Sequence, residues 1–188
     1  NQAKENDLIY LTKPLGVGFL MSAFAHNSKG VSTSIYEKVV NNMLISNKKA
    51  YEISKNYSGR ALTDISGFGL AAHLIDICLN SNLTANLTLN KSIIIAECVN
   101  ELKLFESTAY EDNKESSINQ IKIIPENNQE IINLSKILFD PQTSGPLVIS
   151  ISNDRKEKFE NEYNKYYLFK PILIGKFQAK KKFAIEIN

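Results

Sequence analysis

The sequence has few of the residues that mark secreted, disulfide-linked or membrane proteins. Its 188 residues include no tryptophan and only two cysteines, Cys78 and Cys98, which lack Cys-x-x-Cys spacing. Two such cysteines are too few for a disulfide scaffold, so we expect free thiols in a reducing, cytoplasmic compartment. No apolar run approaches the ~20 residues that cross a bilayer, and the polar first residues lack a signal-peptide core. We therefore expect neither a membrane partner nor secretion.

The overall charge gives little reason to expect a nucleic-acid partner. The net charge is +2, although residues 95–140 hold nine acids against four bases and residues 155–188 hold nine bases against four acids. The basic tail includes three consecutive lysines, residues 180–182, which could form an electrostatic footprint. A solvated turn explains them equally well, and the tail lacks the interleaved aromatic residues of a base-stacking surface. We expect no nucleic acid to bind.

The spacing of apolar residues predicts alternating strands and helices. Strands are predicted at residues 8–13, 60–65, 83–89, 121–124, 147–151, 172–177 and 183–187. Helices are predicted at residues 33–57, 68–80, 92–104, 128–139 and 156–166. Residues 105–120 are polar and are predicted to form a loop, and the lysine run is predicted to be a turn between the last two strands. With a hydrophobic content of 43%, these elements predict one α/β domain (an α+β sandwich) over residues 1–188, with a mixed sheet and helices on at least one face.

The segment Thr-Asp-Ile-Ser-Gly-Phe-Gly-Leu, residues 63–70, carries the strongest chemical signal. Asp64 stands at the carboxyl end of a predicted strand, and Gly67 and Gly69 allow the backbone to turn tightly before a helix. Ser66 is placed to cap that helix. The helix start favours an anion such as a phosphate, and Asp64 could hold the cation that accompanies it. The alternative is an ordinary strand–turn–helix with an aspartate in its loop.

Two further segments contain residues that suit a site. Asp-Pro-Gln-Thr-Ser-Gly at residues 140–145 could be functional or could be a connector held by side-chain bonds to the backbone. Leu-Thr-Lys-Pro-Leu-Gly-Val-Gly at residues 11–18 brings Lys13 to a strand end beside two glycines. Lys13 could contact a phosphate, or it could be an ordinary exposed lysine.

Together these three segments resemble selenophosphate synthetase (selenide, water dikinase), in the same order and at suitable spacing. Residues 107–113, which end at Asn113, are similar to a further stretch of that family, more loosely. The resemblance covers nearly the whole chain but only the C-terminal half of the enzyme. Asp-Pro-Gln-Thr-Ser-Gly is its most specific part, because related enzymes (aminoimidazole ribonucleotide synthetase, thiamine-monophosphate kinase, the hydrogenase maturation dehydratase) are not expected to contain it.

The resemblance implies a fold like the C-terminal domain of the aminoimidazole ribonucleotide synthetase-like superfamily. The family makes selenophosphate, AMP and phosphate from selenide and ATP with Mg²⁺. Its N-terminal ATP-binding domain holds the reactive Cys or selenocysteine and the essential lysine, and we expect that domain to be absent here. The resemblance implies that Asp64 is a metal ligand and that Gly67 and Gly69 lie near the metal–phosphate site. It implies a homodimer that contacts its own N-terminal domain, no catalytic residue in this chain, and an inactive isolated fragment.

The remaining reactive side chains are predicted to be structural. His73 lies off the apolar face of its predicted helix, and we expect a local structural contact rather than catalysis; His26 has no assigned role. Cys78 and Cys98 are expected to be small core residues. The alternatives are a non-catalytic α/β module for dimerisation or regulation, and the C-terminal domain of another ATP-using enzyme of the superfamily.

Overall fold

A mixed β-sheet lies at the centre of the protein. The computed structural model describes residues 2–26, 32–57, 61–95, 108–124 and 126–188. These residues form seven strands in the order β2-β5-β1-β6-β3-β7-β4. The strands are β1 Leu8–Leu11, β2 Leu62–Asp64, β3 Leu83–Leu87, β4 Ile121–Ile123, β5 Leu147–Ile151, β6 Ile172–Ala179 and β7 Ile185–Ile187. The pair β3–β7 and the pair β4–β7 are parallel and the other pairs are antiparallel, so the predicted mixed sheet is confirmed.

Helices cover both faces of this sheet. They are α1 Val17–Ala25, α2 Thr33–Leu44, α3 Lys48–Asn56, α4 Gly69–Ser81, α5 Thr108–Ser117, α6 Gln129–Ser135 and α7 Lys156–Tyr166. Side chains alternate between the two faces of a strand. Accordingly, Ile9 and Leu11 of β1 join the core that contains α1 and α4, whereas Leu8 and Tyr10 join a second core with α3 and α7. The predicted sheet with helices packed on it is therefore confirmed, with a helical layer on each side.

The last two strands do not pair with each other, because β3 lies between β6 and β7 in the sheet. The lysine run connects these two strands, as predicted, but it does not form a hairpin between neighbouring strands. The lysine run instead crosses the end of β3, where Thr84 Oγ1 accepts from Lys181 N at 2.9 Å and donates to Phe183 O at 2.8 Å. The buried Thr84 side chain thus provides hydrogen-bond partners for two backbone groups of the segment that connects β6 to β7. The order of the strands is therefore decided by contacts that no local pattern reveals.

Two helices are absent from the sequence-based prediction. α1 begins directly after Gly16 and contains Gly18, and such glycines favour a turn when taken alone. α5 lies where residues 105–120 are predicted to be a loop, because two of its buried residues, Asn113 and Ser117, are polar. Only Tyr110 gives its buried face an apolar signal. The buried side of α5 therefore combines one aromatic ring with polar side chains and lacks a regular apolar periodicity.

Other boundaries differ from the predictions in detail. The predicted helix at 33–57 is two helices, and the one at 128–139 ends as the 3-10 turn Lys136–Phe139. The predicted helix at 92–104 opens as the 3-10 turn Lys91–Ile93, and residues 96–104, with Cys98, lie outside the described residues. Within the described ranges, the helices are too short or too polar to cross a membrane.

Candidate functional site

Asp64 is the last residue of β2, an edge strand of the sheet. It lies opposite Leu147, the first residue of β5. The side chain is exposed, and within the described part of the chain its carboxylate has no hydrogen-bond or ion-pair partner. A carboxylate in this position is available to an external cation.

The residues that follow Asp64 are held by a second segment of the chain. We call residues 64–69 the Asp64 loop and residues 140–146 the Asp140 segment. Ile65 N donates to Pro146 O at 2.9 Å, and Ser66 O accepts from Gln142 N at 3.1 Å. The structure therefore joins two of the segments on which the family resemblance depends, and the third, residues 11–18, contacts the Asp140 segment through Val17 and Gly18.

The two glycines of the Asp64 loop have different surroundings. Gly69 is buried with φ +74°, and a Cβ added there would lie 2.7 Å from Leu138 O. This position favours glycine because L-residues rarely adopt that backbone conformation and because the neighbouring backbone leaves no space. Gly67 is exposed, and an added Cβ would meet nothing within 4 Å. Gly69 is thus needed for packing, whereas Gly67 presents an open surface beside Asp64.

Ser66 does not cap α4, contrary to the sequence-based prediction. The helix begins at Gly69, and its N-cap residue Phe68 makes no side-chain cap bond. Ser66 Oγ instead lies 3.2 Å from Nε2 of His73, which also accepts from Ser66 N at 3.4 Å. The predicted local structural contact of His73 is therefore present. It ties the Asp64 loop to the first turns of α4.

The Asp140 segment caps α1 from a distance. Asp140 is buried, and its Oδ2 accepts from Gly18 N at 3.2 Å and from Gln142 Nε2 at 2.7 Å. Gln142 Oε1 accepts from Val17 N at 3.4 Å. The pKa of Asp140 is raised to about 7, because the effect of burial exceeds the opposing effect of the hydrogen bonds from Gln142, Phe19 and Gly18. The segment therefore acts as a connector held by side-chain bonds to the backbone, and its acceptors are the side chains of Asp140 and Gln142.

Lys13 is buried rather than exposed, so that expectation is wrong. Its Nζ donates to Asn42 O at 2.9 Å and to Ile45 O at 3.0 Å, at the end of α2. Helix ends leave such carbonyls without intrahelical partners, and a lysine can satisfy them. Desolvation lowers the pKa of the amine to about 8. Lys13 therefore terminates α2, and its amine is directed to the backbone rather than to a phosphate.

Sequence reasoning missed the part that Asn113 plays in the loop. Its Nδ2 donates to Gly67 O at 2.8 Å and to Phe139 O at 3.0 Å, and the residue is buried. The available signal was its place at the end of the loosely similar stretch 107–113. Asn113 joins the Asp64 loop to the residue that precedes Asp140.

One cavity in the described part of the chain is large and lies apart from the Asp64 loop. This cavity of about 700 Å³ between α2 and the start of β6 is mainly apolar, with Ile45, Ile94 and Phe169 among its lining residues. The described residues that line it do not include the Asp64 loop or the Asp140 segment. Across the described residues, no group of three or more His, Cys, Asp and Glu could hold a metal ion. Within the described part of the chain, Asp64 is therefore not part of such a group.

Comparisons with known proteins identify the family of this domain. Residues 4–188 match the family described as AIR synthase related protein, C-terminal domain. The chain belongs to this family. Selenide, water dikinase from Caldanaerobacter subterraneus subsp. tengcongensis is 34% identical over 99% of this chain and 53% of its own length. The enzyme of the same name from Shewanella sp. (strain ANA-3) is 30% identical over 94% of this chain and 48% of its own length.

Solved structures of other proteins share the fold of this AIR synthase-related domain. Thiamine-monophosphate kinase from Stenotrophomonas maltophilia K279a has a TM-score of 0.65 at 14% identity, covering 100% of this chain and 52% of its own. HypE from E. coli, a hydrogenase maturation protein, has a TM-score of 0.59 at 14% identity, and the match covers 98% of this chain and 47% of the HypE chain. The chain spans about half the length of the curated relatives it matches. The predicted fold and the resemblance to a selenophosphate synthetase C-terminal domain are confirmed.

Proposed function

We propose that this chain is the C-terminal domain of a two-domain enzyme that makes selenophosphate from selenide and ATP, releasing AMP and phosphate. The alignment with selenide, water dikinase over 99% of the chain carries the proposal. The match to about half of each relative supports a second, N-terminal domain that would supply the nucleophile, the essential lysine and most of the ATP and metal ligands. In this proposal the partners are that domain and a second copy of the enzyme, in the cytoplasm.

Asp64 contributes one ligand to Mg²⁺ in this proposal. Its carboxylate is exposed and has no partner among the described residues, which suits a hard cation that prefers oxygen ligands. Bound Mg²⁺ would neutralise charge on the transferring phosphates. Since Mg²⁺ sites usually combine carboxylates with substrate phosphates, one carboxylate is not enough, and the isolated chain is expected to be inactive.

The open surface of Gly67 suits the approach of a phosphate or of the other domain to the Asp64 loop. Two solved relatives of the same fold support ATP as the nucleotide. They are a hydrogenase maturation protein HypE in complex with ATP and AaThiL complexed with AMPPCP and TMP, with TM-scores of 0.54 and 0.57. We propose the same nucleotide for the enzyme that contains this chain.

The deciding experiment measures AMP release by the full-length protein with and without selenide. We expect AMP to form only with selenide, and phosphorus NMR to show selenophosphate. ATP consumption with thiamine monophosphate as the acceptor instead would assign the chain to another ATP-using enzyme of the superfamily. A full-length protein that consumes no ATP with either acceptor would support the non-catalytic module. The isolated chain serves as the inactive control.

A further inference from the structure

We infer that Asn113 is a positioning residue that holds the Asp64 loop in its working conformation. The inference rests on the proposed function, because it concerns the loop that presents Asp64. Asn113 is not a metal ligand or a catalytic residue in this account. It acts through the carbonyl of Gly67, three residues after Asp64.

The side chain of Asn113 suits this task because both of its amide hydrogens are used. They go to carbonyl oxygens of two different segments, Gly67 O in the Asp64 loop and Phe139 O immediately before the Asp140 segment. An ionised aspartate offers acceptors only, and an alanine offers neither group. A planar amide with two donors is therefore needed to join these two carbonyls at one point.

The helix that carries Asn113 is itself fixed to the core. The ring of Tyr110, one turn earlier in α5, is buried and packs at 5.4 Å from Phe19 and 6.0 Å from Phe139, between ring centroids. α5 also packs against α4, the helix that follows the Asp64 loop. Asn113 is thus anchored to α1, to α4 and to the residues before Asp140, so the position of its amide is well determined.

The outer part of the Asp64 loop has little else to hold it. Gly67 is exposed, has open space where a Cβ would be, and needs no special backbone angle. Among the described residues, the loop is otherwise tied at Ile65 and Ser66 to the Asp140 segment, at Ser66 to His73 of α4, and by Gly69 N to Ser66 O at 3.1 Å. Removing the Asn113 amide would free the Gly67 carbonyl and leave Phe139 O without that donor. A shift of about 1 Å in a positioned group can cost about 100-fold in rate.

The test compares Asn113→Ala and Asn113→Asp with the control Thr84→Val in the full-length protein. Thr84 is also buried and also makes two side-chain bonds to backbone, but in β3, which three strands separate from β2. We expect both Asn113 variants to lose up to about 100-fold in turnover of the folded enzyme and to need more Mg²⁺ for half-maximal activity. Amide exchange at Ile65 and Gly69 should become faster. Thr84→Val should lose stability but keep turnover, Mg²⁺ dependence and loop exchange.

Two results would overturn the inference. One is wild-type turnover and Mg²⁺ dependence in folded Asn113→Ala or Asn113→Asp, and the other is unchanged amide exchange at Ile65 and Gly69. If one variant does not fold, the other provides the measurement. Absence of selenide-dependent AMP release by the wild-type protein would refute the proposed function instead. Amide exchange at Ile65 and Gly69 in the Asn113 variants, compared with Thr84→Val, would then decide whether Asn113 holds the Asp64 loop.

Discussion

The carboxylate of Asp140 accepts a hydrogen bond from the backbone amide of Gly18, 122 residues earlier in the chain, at 3.2 Å. Gly16, the N-cap residue of α1, has no side chain with which to cap the helix. Asp140 and Gln142 supply the missing acceptors from the other end of the sequence. A Cβ at Gly18 would lie 2.4 Å from Asp140 Oδ1, so the bond depends on that glycine. The segment most specific to the family resemblance therefore forms part of the scaffold of the site.

We predict that Asp140→Asn changes how stability depends on pH. Burial raises the pKa of Asp140 from 3.8 to about 7, so between those values the folded state binds more protons than the unfolded state. This group favours folding most below pH ~4, and its contribution is lost as the pH rises to about 7. Urea unfolding of both proteins at pH 5 and pH 8 measures the effect. The free energy of unfolding of the wild type should exceed that of the variant by more at pH 5 than at pH 8. An equal difference at the two pH values would contradict the prediction.

We predict that Gly69→Ala and Gly67→Ala have different effects on stability. Alanine at Gly69 should cost more than about 1 kcal/mol, because it combines a positive φ with a Cβ 2.7 Å from Leu138 O. Alanine at exposed Gly67 should change stability by less than about 0.5 kcal/mol. Melting temperatures of the two variants test this, each against the wild type.

Gly67→Ala also tests the open surface beside Asp64. Since the substitution leaves stability nearly unchanged, a loss of turnover in the full-length enzyme would report a close approach of phosphate or of the other domain. We expect turnover to fall well below the wild-type value. Full activity would restrict the site in this domain to Asp64.

We predict that Asp64→Asn folds normally and loses most activity in the full-length enzyme. The amide keeps the shape of the side chain and removes the charge that attracts Mg²⁺, and an exposed surface residue contributes little to stability. Asp154→Asn is the matched control, because Asp154 is an exposed aspartate that follows the opposite end of β5. Turnover at low millimolar Mg²⁺ separates the two variants. Equal turnover in both would show that Asp64 binds no metal.

We predict that Cys78→Ser lowers stability and leaves turnover unchanged. The thiol is fully buried on α4, and desolvation raises its pKa to about 11, so little thiolate forms at neutral pH. Burying a hydroxyl in its place should cost about 1–3 kcal/mol if the hydroxyl finds no equivalent partner. Chemical denaturation gives the loss, and turnover below the melting temperature gives the second value. Loss of turnover with normal stability would make Cys78 the nucleophile.

The sequence by itself determined the elements that bury one regular face. The strand Leu147–Ile151 and the helix Lys156–Tyr166 have the predicted bounds, because a continuous apolar strand and the helical spacing of Phe159 and Tyr163 are local properties. The short motifs around Asp64 and Asp140 were enough for the family resemblance. The motif around Asp64 also predicted that this carboxylate stands at the end of a strand, shortly before Gly67 and Gly69.

Only the tertiary structure decided which polar side chains meet. The burial of Lys13, the insertion of β3 between β6 and β7, and the contacts of Asn113 all depend on residues far apart in the chain. A buried polar group is stable only where a partner satisfies its hydrogen bonds, and the identity of that partner is not encoded in local periodicity. The helix of Asn113 therefore looks like a loop in the sequence, yet in the folded protein its amide joins the Asp64 loop to the residue before Asp140.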